Sequence, residues 1–216
     1  MPSITCPRCG REHTVEEYEE DRFCRACGSL LKVTGGKGGN RGGRGWRRLF
    51  PYEPYPPQVE FIRDIQETAG RGGVLVAEAC NGFGKTVSVL SCLLAMGKRV
   101  IYGTRTHEQV RQVLLELEKI NEKSGESHTA VNLASRGHLC VNPECRDLPR
   151  NEAQELCNTL RKNDECPYAS DLDRPPRGLP CILSREALVR EGRRREICPY
   201  YLARRMMKES RVVVAP

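Results

Sequence analysis

The 216-residue sequence contains no apolar run approaching the length of a membrane span, and nothing at its N-terminus resembles a signal peptide. With 38% hydrophobic and 29% charged residues, those absences predict a globular, soluble chain with no membrane partner. They also place its twelve cysteines in a reducing compartment, the cytoplasm with its nucleoid or, in a eukaryote, the nucleus. There thiols bind metal in preference to pairing as disulfides. Acidic residues are missing from one segment, 35–48, where Lys37, Arg41, Arg44, Arg47 and Arg48 supply five of the seven net positive charges. The basic balance therefore reports mainly on that segment. Residues 135–209 are poor in large apolar side chains, and their cysteines lack the compact C-x₂-C-x₂-C spacing of ferredoxins.

What is present centres on Glu78-Ala79-Cys80-Asn81-Gly82-Phe83-Gly84-Lys85-Thr86. The apolar run Val74 to Ala77 precedes it and predicts a strand; Val87 to Met96 follows and predicts a helix. This is the setting of a phosphate-binding P-loop. Gly82 and Gly84 let successive N–H groups turn toward phosphate oxygens, and the new helix adds its positive end. Lys85 is expected on the β- and γ-phosphates of ATP and Thr86 on Mg²⁺. Ala79 stands where the pattern has its first glycine. A chance glycine turn is the bland alternative.

Cys6-Pro-Arg-Cys9-Gly10 and Cys24-Arg-Ala-Cys27-Gly28, fourteen residues apart, predict two knuckles of a Cys₄ zinc ribbon over residues 1–34. Two disulfides or a redox pair are the alternative. So small a segment buries too little core to fold without the metal. Residues 35–48 read as a basic linker, either an arm on nucleic-acid phosphates with Trp46 stacking on a base, or a plain tether. The proline-rich stretch 49–57 leads to Gln58, whose amide matches the N6 and N7 edge of adenine. Lys98–Thr104 predicts a second strand, and Val110, Val113, Leu114 and Leu117 mark the helix after it. Val131–Ala134 and Arg211–Pro216 predict further strands of a parallel sheet. Arg105 and Thr106 lie at a strand's C-terminal end, where open α/β sheets bind ligands, although a solvated surface charge is an equal reading for Arg105. Between the later strands lie Cys140, Cys145, Cys157, Cys166, Cys181 and Cys198, and a metal cluster is the expected staple for such a segment. Spacing alone leaves iron–sulfur and zinc both open. Cys80 and Cys92 are expected as small packing residues.

The order of these motifs resembles the XPD/DinG family of superfamily 2 DNA helicases. The residues that carry the likeness are Phe50-Pro-Tyr, Pro57-Gln58, Glu78 to Thr86, Tyr102-Gly-Thr-Arg-Thr-His-Glu-Gln109, Ala134-Ser-Arg-Gly-His-Leu-Cys140, and Ile197-Cys-Pro-Tyr-Tyr-Leu-Ala-Arg204. The resemblance implies a partial RecA-like motor domain over 49–134, a [4Fe–4S] insertion over 135–209 and the start of the next motor strand at 210–216. It implies ATP-driven 5′→3′ movement on single-stranded or forked DNA in repair or replication, by a monomer. Cys140 and Cys198 would be the first and last cluster ligands and Cys157 and Cys166 the middle pair, with Cys145 and Cys181 spare. Arg105, Thr106 and Arg136 would contact DNA. The family's Walker B acids and second motor domain fall beyond Pro216, so the chain is expected to be an N-terminal portion without helicase turnover of its own. A non-catalytic metal-binding adaptor with a degenerate P-loop is the rival reading; a small nucleotide kinase, which needs no cysteine-rich insertion, is a weaker one.

Overall fold

Three consecutive valines, Val212 to Val214, sit at the middle of the architecture. The computed structural model describes residues 3–5, 12–14, 45–169 and 176–216. In chain order its elements are β1 (Ser3–Thr5), β2 (Glu12–Thr14), α1 (Gly45–Leu49), α2 (Pro56–Arg71), α3 (Lys85–Ala95), β3 (Val100–Gly103), α4 (His107–Ser124), β4 (Ala130–Asn132), α5 (Arg136–Leu139), α6 (Pro143–Arg146), α7 (Arg150–Lys162), β5 (Ile182–Leu183), α8 (Arg185–Arg195), α9 (Pro199–Met206) and β6 (Val212–Ala215). β1 and β2 form an antiparallel pair. The four expected zinc ligands, Cys6, Cys9, Cys24 and Cys27, lie outside the described residues.

The larger sheet is parallel, in the order β3-β6-β4-β5. A parallel sheet is covered on both faces, which is why its strands read as continuous apolar runs. Val212 and Val214 face a core built by α1 to α4, with Leu49, Phe50, Ile62, Leu90, Leu117 and Ile120 buried in it. Val213 points to the other face, where Leu139, Leu183, Leu188 and Leu202 close a second core. β5, α8 and α9 all arise from residues 135–209. That segment therefore completes the sheet and covers one of its faces with an apolar core of its own.

Two expectations fail. Val74–Ala77 is not a strand: it pairs with nothing in the sheet, and Val74 and Val76 are 90% and 91% exposed. A strand is made by its neighbours, and no strand among the described residues lies beside this run. Ile101 on the edge strand β3 is also exposed. Trp46 is not on a linker; it lies on α1, is buried, and meets Phe50 edge-on at 5.4 Å between ring centroids. The ring, with some of the largest apolar area of any side chain, gains more from the core than the basic run around it costs. Arg47 stays exposed and covers the indole face.

Candidate nucleotide loop and cysteine cavity

The expected phosphate loop ends where α3 begins. Gly84 caps the helix in the left-handed region, at φ 81°, and Gly82 has the same φ. A Cβ on Gly84 would come within 2.4 Å of the Gln58 amide nitrogen. Glycine is thus favoured at 84 by its conformation, and a larger residue would also displace the Gln58 amide. Gln58, buried on the first turn of α2, accepts from the Tyr55 N–H (3.2 Å) and donates to the Phe83 carbonyl (2.8 Å). One donor and one acceptor site of its amide remain for a ligand. The Tyr55 hydroxyl donates to the same carbonyl at 2.5 Å, and the Tyr55 and Phe61 rings both meet Phe83 edge-on. The tip of the loop is therefore clamped by the proline-rich segment and α2. Asn81 is exposed beside it.

Lys85 Nζ donates to the carbonyls of Ala79 (2.6 Å) and Cys80 (2.9 Å). Its ammonium rests across the mouth of the loop, held by groups that phosphate oxygens would replace. Thr86 Oγ1 is 3.3 Å from the Tyr102 hydroxyl on β3. Cys92 is fully buried in the core, as a packing residue should be, whereas Cys80 is exposed. Tyr55 and Tyr102, which the motif pattern did not single out, also touch this loop. Tyr55 closes the proline-rich stretch, and Tyr102 lies on the strand face turned toward α3.

At the C-terminal end of β3, Arg105 is exposed. Thr106 instead caps α4, its side chain accepting from the Gln109 N–H at 3.2 Å. Arg136 is committed as well. It donates to Asn158 Oδ1 (2.7 Å) and to the Tyr201 hydroxyl (3.0 Å), and stacks over Tyr200. Arg161 joins the same tyrosine hydroxyl.

Arg136 forms one wall of a cavity of about 470 Å³ between α5, α6, α7 and the start of α9. Cys140, Cys145 and Cys157 line it. Burial raises the Cys140 thiol above its ordinary range, and the neighbouring Cys157 and Cys166 charges push the same way. Burial likewise raises Cys145, to about 11, with Cys140, Cys157 and Cys166 adding to it. Cys198 is raised by burial and then by Cys140 and Cys157, against backbone hydrogen bonds from Tyr200 and Tyr201. Of the four expected cluster ligands, Cys140 and Cys157 face this one cavity, while Cys166 and Cys198 are not on its lining. Cys145, expected to be spare, lines it too; Cys181, also expected to be spare, is exposed on a different cleft beside Glu118 and Asn121. No three His, Cys, Asp or Glu side chains among the described residues converge closely enough to hold a single metal ion.

A family profile, DEAD_2, matches residues 102–216, just over half of the chain. The budding-yeast (Saccharomyces cerevisiae) general transcription and DNA repair factor IIH helicase subunit XPD/RAD3 is 30% identical over 192 residues, 74% of this chain and 24% of that protein. The ATP-dependent DNA helicase chl1 of Schizosaccharomyces pombe is 31% identical over 150 residues, 63% of this chain and 18% of its own length. A regulator of telomere elongation helicase 1 homolog from Drosophila sechellia is 32% identical over 119 residues, 53% of this chain and 12% of the relative. A solved structure of a truncated XPD overlays with a TM-score of 0.49 at 20% identity, over 72% of this chain and 43% of that one. The chain spans a quarter or less of the length of these curated relatives. It belongs to the DEAD_2 family of XPD/Rad3-type helicases.

Proposed function

We propose that this chain is the nucleotide-binding and cluster-bearing part of an ATP-dependent 5′→3′ DNA helicase acting in repair or replication. The observation that carries the proposal is the Gln58 amide, clamped on the Phe83 carbonyl of the phosphate loop while keeping one donor and one acceptor site for a base. A purine read by Gln58 would have its phosphates led into the loop that Lys85 closes. ATP binding would draw the lysine from the Ala79 and Cys80 carbonyls onto the phosphates, and Thr86 would turn from Tyr102 to Mg²⁺. The exposed Val74–Ala77 run favours a larger motor in which a further strand covers it. Among the described residues, Lys85 and Thr86 have carbonyls and a phenol as hydrogen-bond partners, and no carboxylate. Binding without turnover is therefore expected.

The cavity beside Arg136, about 470 Å³ with Cys140 and Cys157 on its wall, has room for a multi-iron cluster. A [4Fe–4S] cluster spreads its four thiolates around a larger body. The assigned ligands are Cys140, Cys157, Cys166 and Cys198, whose mutual repulsion as thiolates a cationic centre relieves. When bound, the cluster would tie α5, α7, the turn after it and the start of α9 into one unit. Cys6, Cys9, Cys24 and Cys27 are assigned to zinc, and Arg105 to DNA phosphate.

One anaerobic preparation tests the reading. It should bind a fluorescent ATP analogue and contain about four irons and one zinc per chain. Lys85→Ala should abolish nucleotide binding; Gln58→Ala should erase the preference for ATP over GTP. Steady ATP hydrolysis that disappears in Lys85→Ala would overturn the claim that this part does not turn over. Zinc in place of iron would overturn the cluster.

A further inference from the structure

The two inner strands of the sheet, β4 and β6, carry one polar residue between them. Asn132 follows Ala130 and Val131 on β4 and is 4% exposed. Alternation along the strand puts it on the face of Ala130, toward α4, and away from that of Val131. Its Oδ1 is buried and has no hydrogen-bond partner among the described residues. A buried amide oxygen left without a donor is costly, and a valine there would pack as its neighbours do. The Asn132 side chain instead lines a cavity of about 350 Å³ between α4 and the start of α8. That volume lies at the lower end of the range for small-molecule sites, about 300–1,000 Å³.

The lining narrows the occupant. Val110, Leu114 and Leu115 give the cavity an apolar side. Arg111 and Arg185 are outnumbered there by Glu108, Glu118 and Glu186, and Glu108 is tied to Arg111 at 3.0 Å. Ser184 is occupied too, donating to Glu186 at 3.0 Å. A phosphate is therefore not what the cavity draws in. An uncharged, flat body with an N–H for the Asn132 oxygen fits it. His107, whose ring meets that of His138 edge-on at 4.6 Å, adds an aromatic group to the wall. Arg105, just before it in the chain, is exposed at the end of β3, where a phosphate can stay in solvent. We propose that this cavity takes one unpaired base of a single strand, a base with an exocyclic amine, whose N–H is accepted by Asn132 Oδ1. The inference rests on the DNA-binding part of the reading above and not on its ATP site. Such a base, adenine or cytosine, presents a donor where thymine presents the acceptor O4.

Fluorescence anisotropy on the full chain tests this, with short labelled single strands that carry cytosine, thymine or no base at all. Cytosine is the probe because the Gln58 amide is matched to adenine. The cytosine strand should bind about tenfold tighter than the abasic one and about fivefold tighter than the thymine one. Asn132→Leu should bring cytosine down to the level of thymine. Leu115→Trp, which fills the cavity from its half-buried side, should bring all three strands together while the urea midpoint is kept. Arg105→Ala should weaken all three alike and leave their ratios unchanged. Equal affinity for cytosine and thymine strands in the wild type would overturn the inference. So would a cytosine preference that survives in both cavity variants. Base-blind DNA binding by a chain that binds ATP removes this subsite and leaves the motor reading. A cytosine preference dependent on Asn132 in a chain that binds no ATP does the reverse, and failure to bind any strand overturns both.

Discussion

His128 is the residue whose setting gives the plainest dependence on pH. Its Nε2 lies 2.9 Å from the Glu126 carboxylate, which also pairs with Arg48. Burial nonetheless holds its pKa below the ordinary imidazole value; Glu126 works against that shift, and Arg211 and Arg48 work with it. The folded state thus favours neutral imidazole, and the unfolded chain takes up the proton first as pH falls below about 6.5. The stability this represents is present above that pH and is lost on descent through the folded value. Urea unfolding should show the wild type losing more stability between about pH 7.5 and 5.5 than His128→Gln. Equal losses would refute the assignment. Nothing in the sequence announced this, because burial is a property of the fold and the charges that act with it, Arg48 and Arg211, lie far away along the chain. The phosphate loop is different. Gly82, Gly84, Lys85 and Thr86 were legible because their roles are local, set by backbone conformation and by the start of one helix.

At the scale of elements, α8 and α9 meet at Gly192. A Cβ there would lie 2.4 Å from Pro199 Cγ and 2.9 Å from the Ile197 carbonyl oxygen. In an exposed helix, alanine is better than glycine by about 1 kcal/mol. Here neither a proline ring nor a backbone oxygen can step aside, so Gly192→Ala should cost about 1–3 kcal/mol. Denaturant midpoints decide the sign, and a gain in stability would show that the helices separate freely. Because Pro199 follows Cys198, the same variant should also retain less iron. The elements divide by the range of their causes. α4 was readable from Val110, Val113, Leu114 and Leu117, and Thr106 with Gln109 supplies its cap. β4 and β6 were readable as apolar runs. Val74–Ala77 reads the same way and is no strand, because pairing is decided by neighbours, which no local pattern contains. Trp46 was misread for the converse reason: its local company is basic and glycine-rich, and its core partners lie elsewhere. Cys145 was grouped with Cys181 as spare, although only Cys145 lines the cavity with Cys140 and Cys157, because spacing along the chain does not say which cysteines share a cavity.

Across the whole molecule, positive charge is less free than composition suggests. Arg194 and Arg195 are paired with the buried Glu191, Arg205 with Glu209, and Arg136 with Asn158 and Tyr201. Arg105 and Arg193 remain exposed, and residues 35–44 hold three further cations. Binding to single-stranded DNA is therefore expected to be weak and steeply salt-dependent, with a log–log slope of about −0.7 for each phosphate neutralised. Neutralising Lys37, Arg41 and Arg44 together should flatten that slope in a fluorescence-anisotropy titration. Arg194→Ala should leave it unchanged and cost stability instead. An unaltered slope in the triple variant would place the DNA contact elsewhere. No helix among the described residues is long and apolar enough to cross a membrane.

The position of β6 inside the sheet also sets the order in which the protein can be made. Its neighbours β3 and β4 flank it, with Val100 opposite Val212 and Ala130 opposite the same residue. Both neighbours leave the ribosome long before it does, and the whole cysteine-bearing segment emerges in between. Until β6 arrives, β3 and β4 have an unfilled slot between them, and a direct β3–β4 pairing is the obvious wrong turn. Contacts of such long sequence separation form slowly, and a chain waiting with apolar strands unpaired is open to aggregation. β6 acts as a keystone: assembly of the four described parallel strands is gated by completion of the segment that carries the thiols.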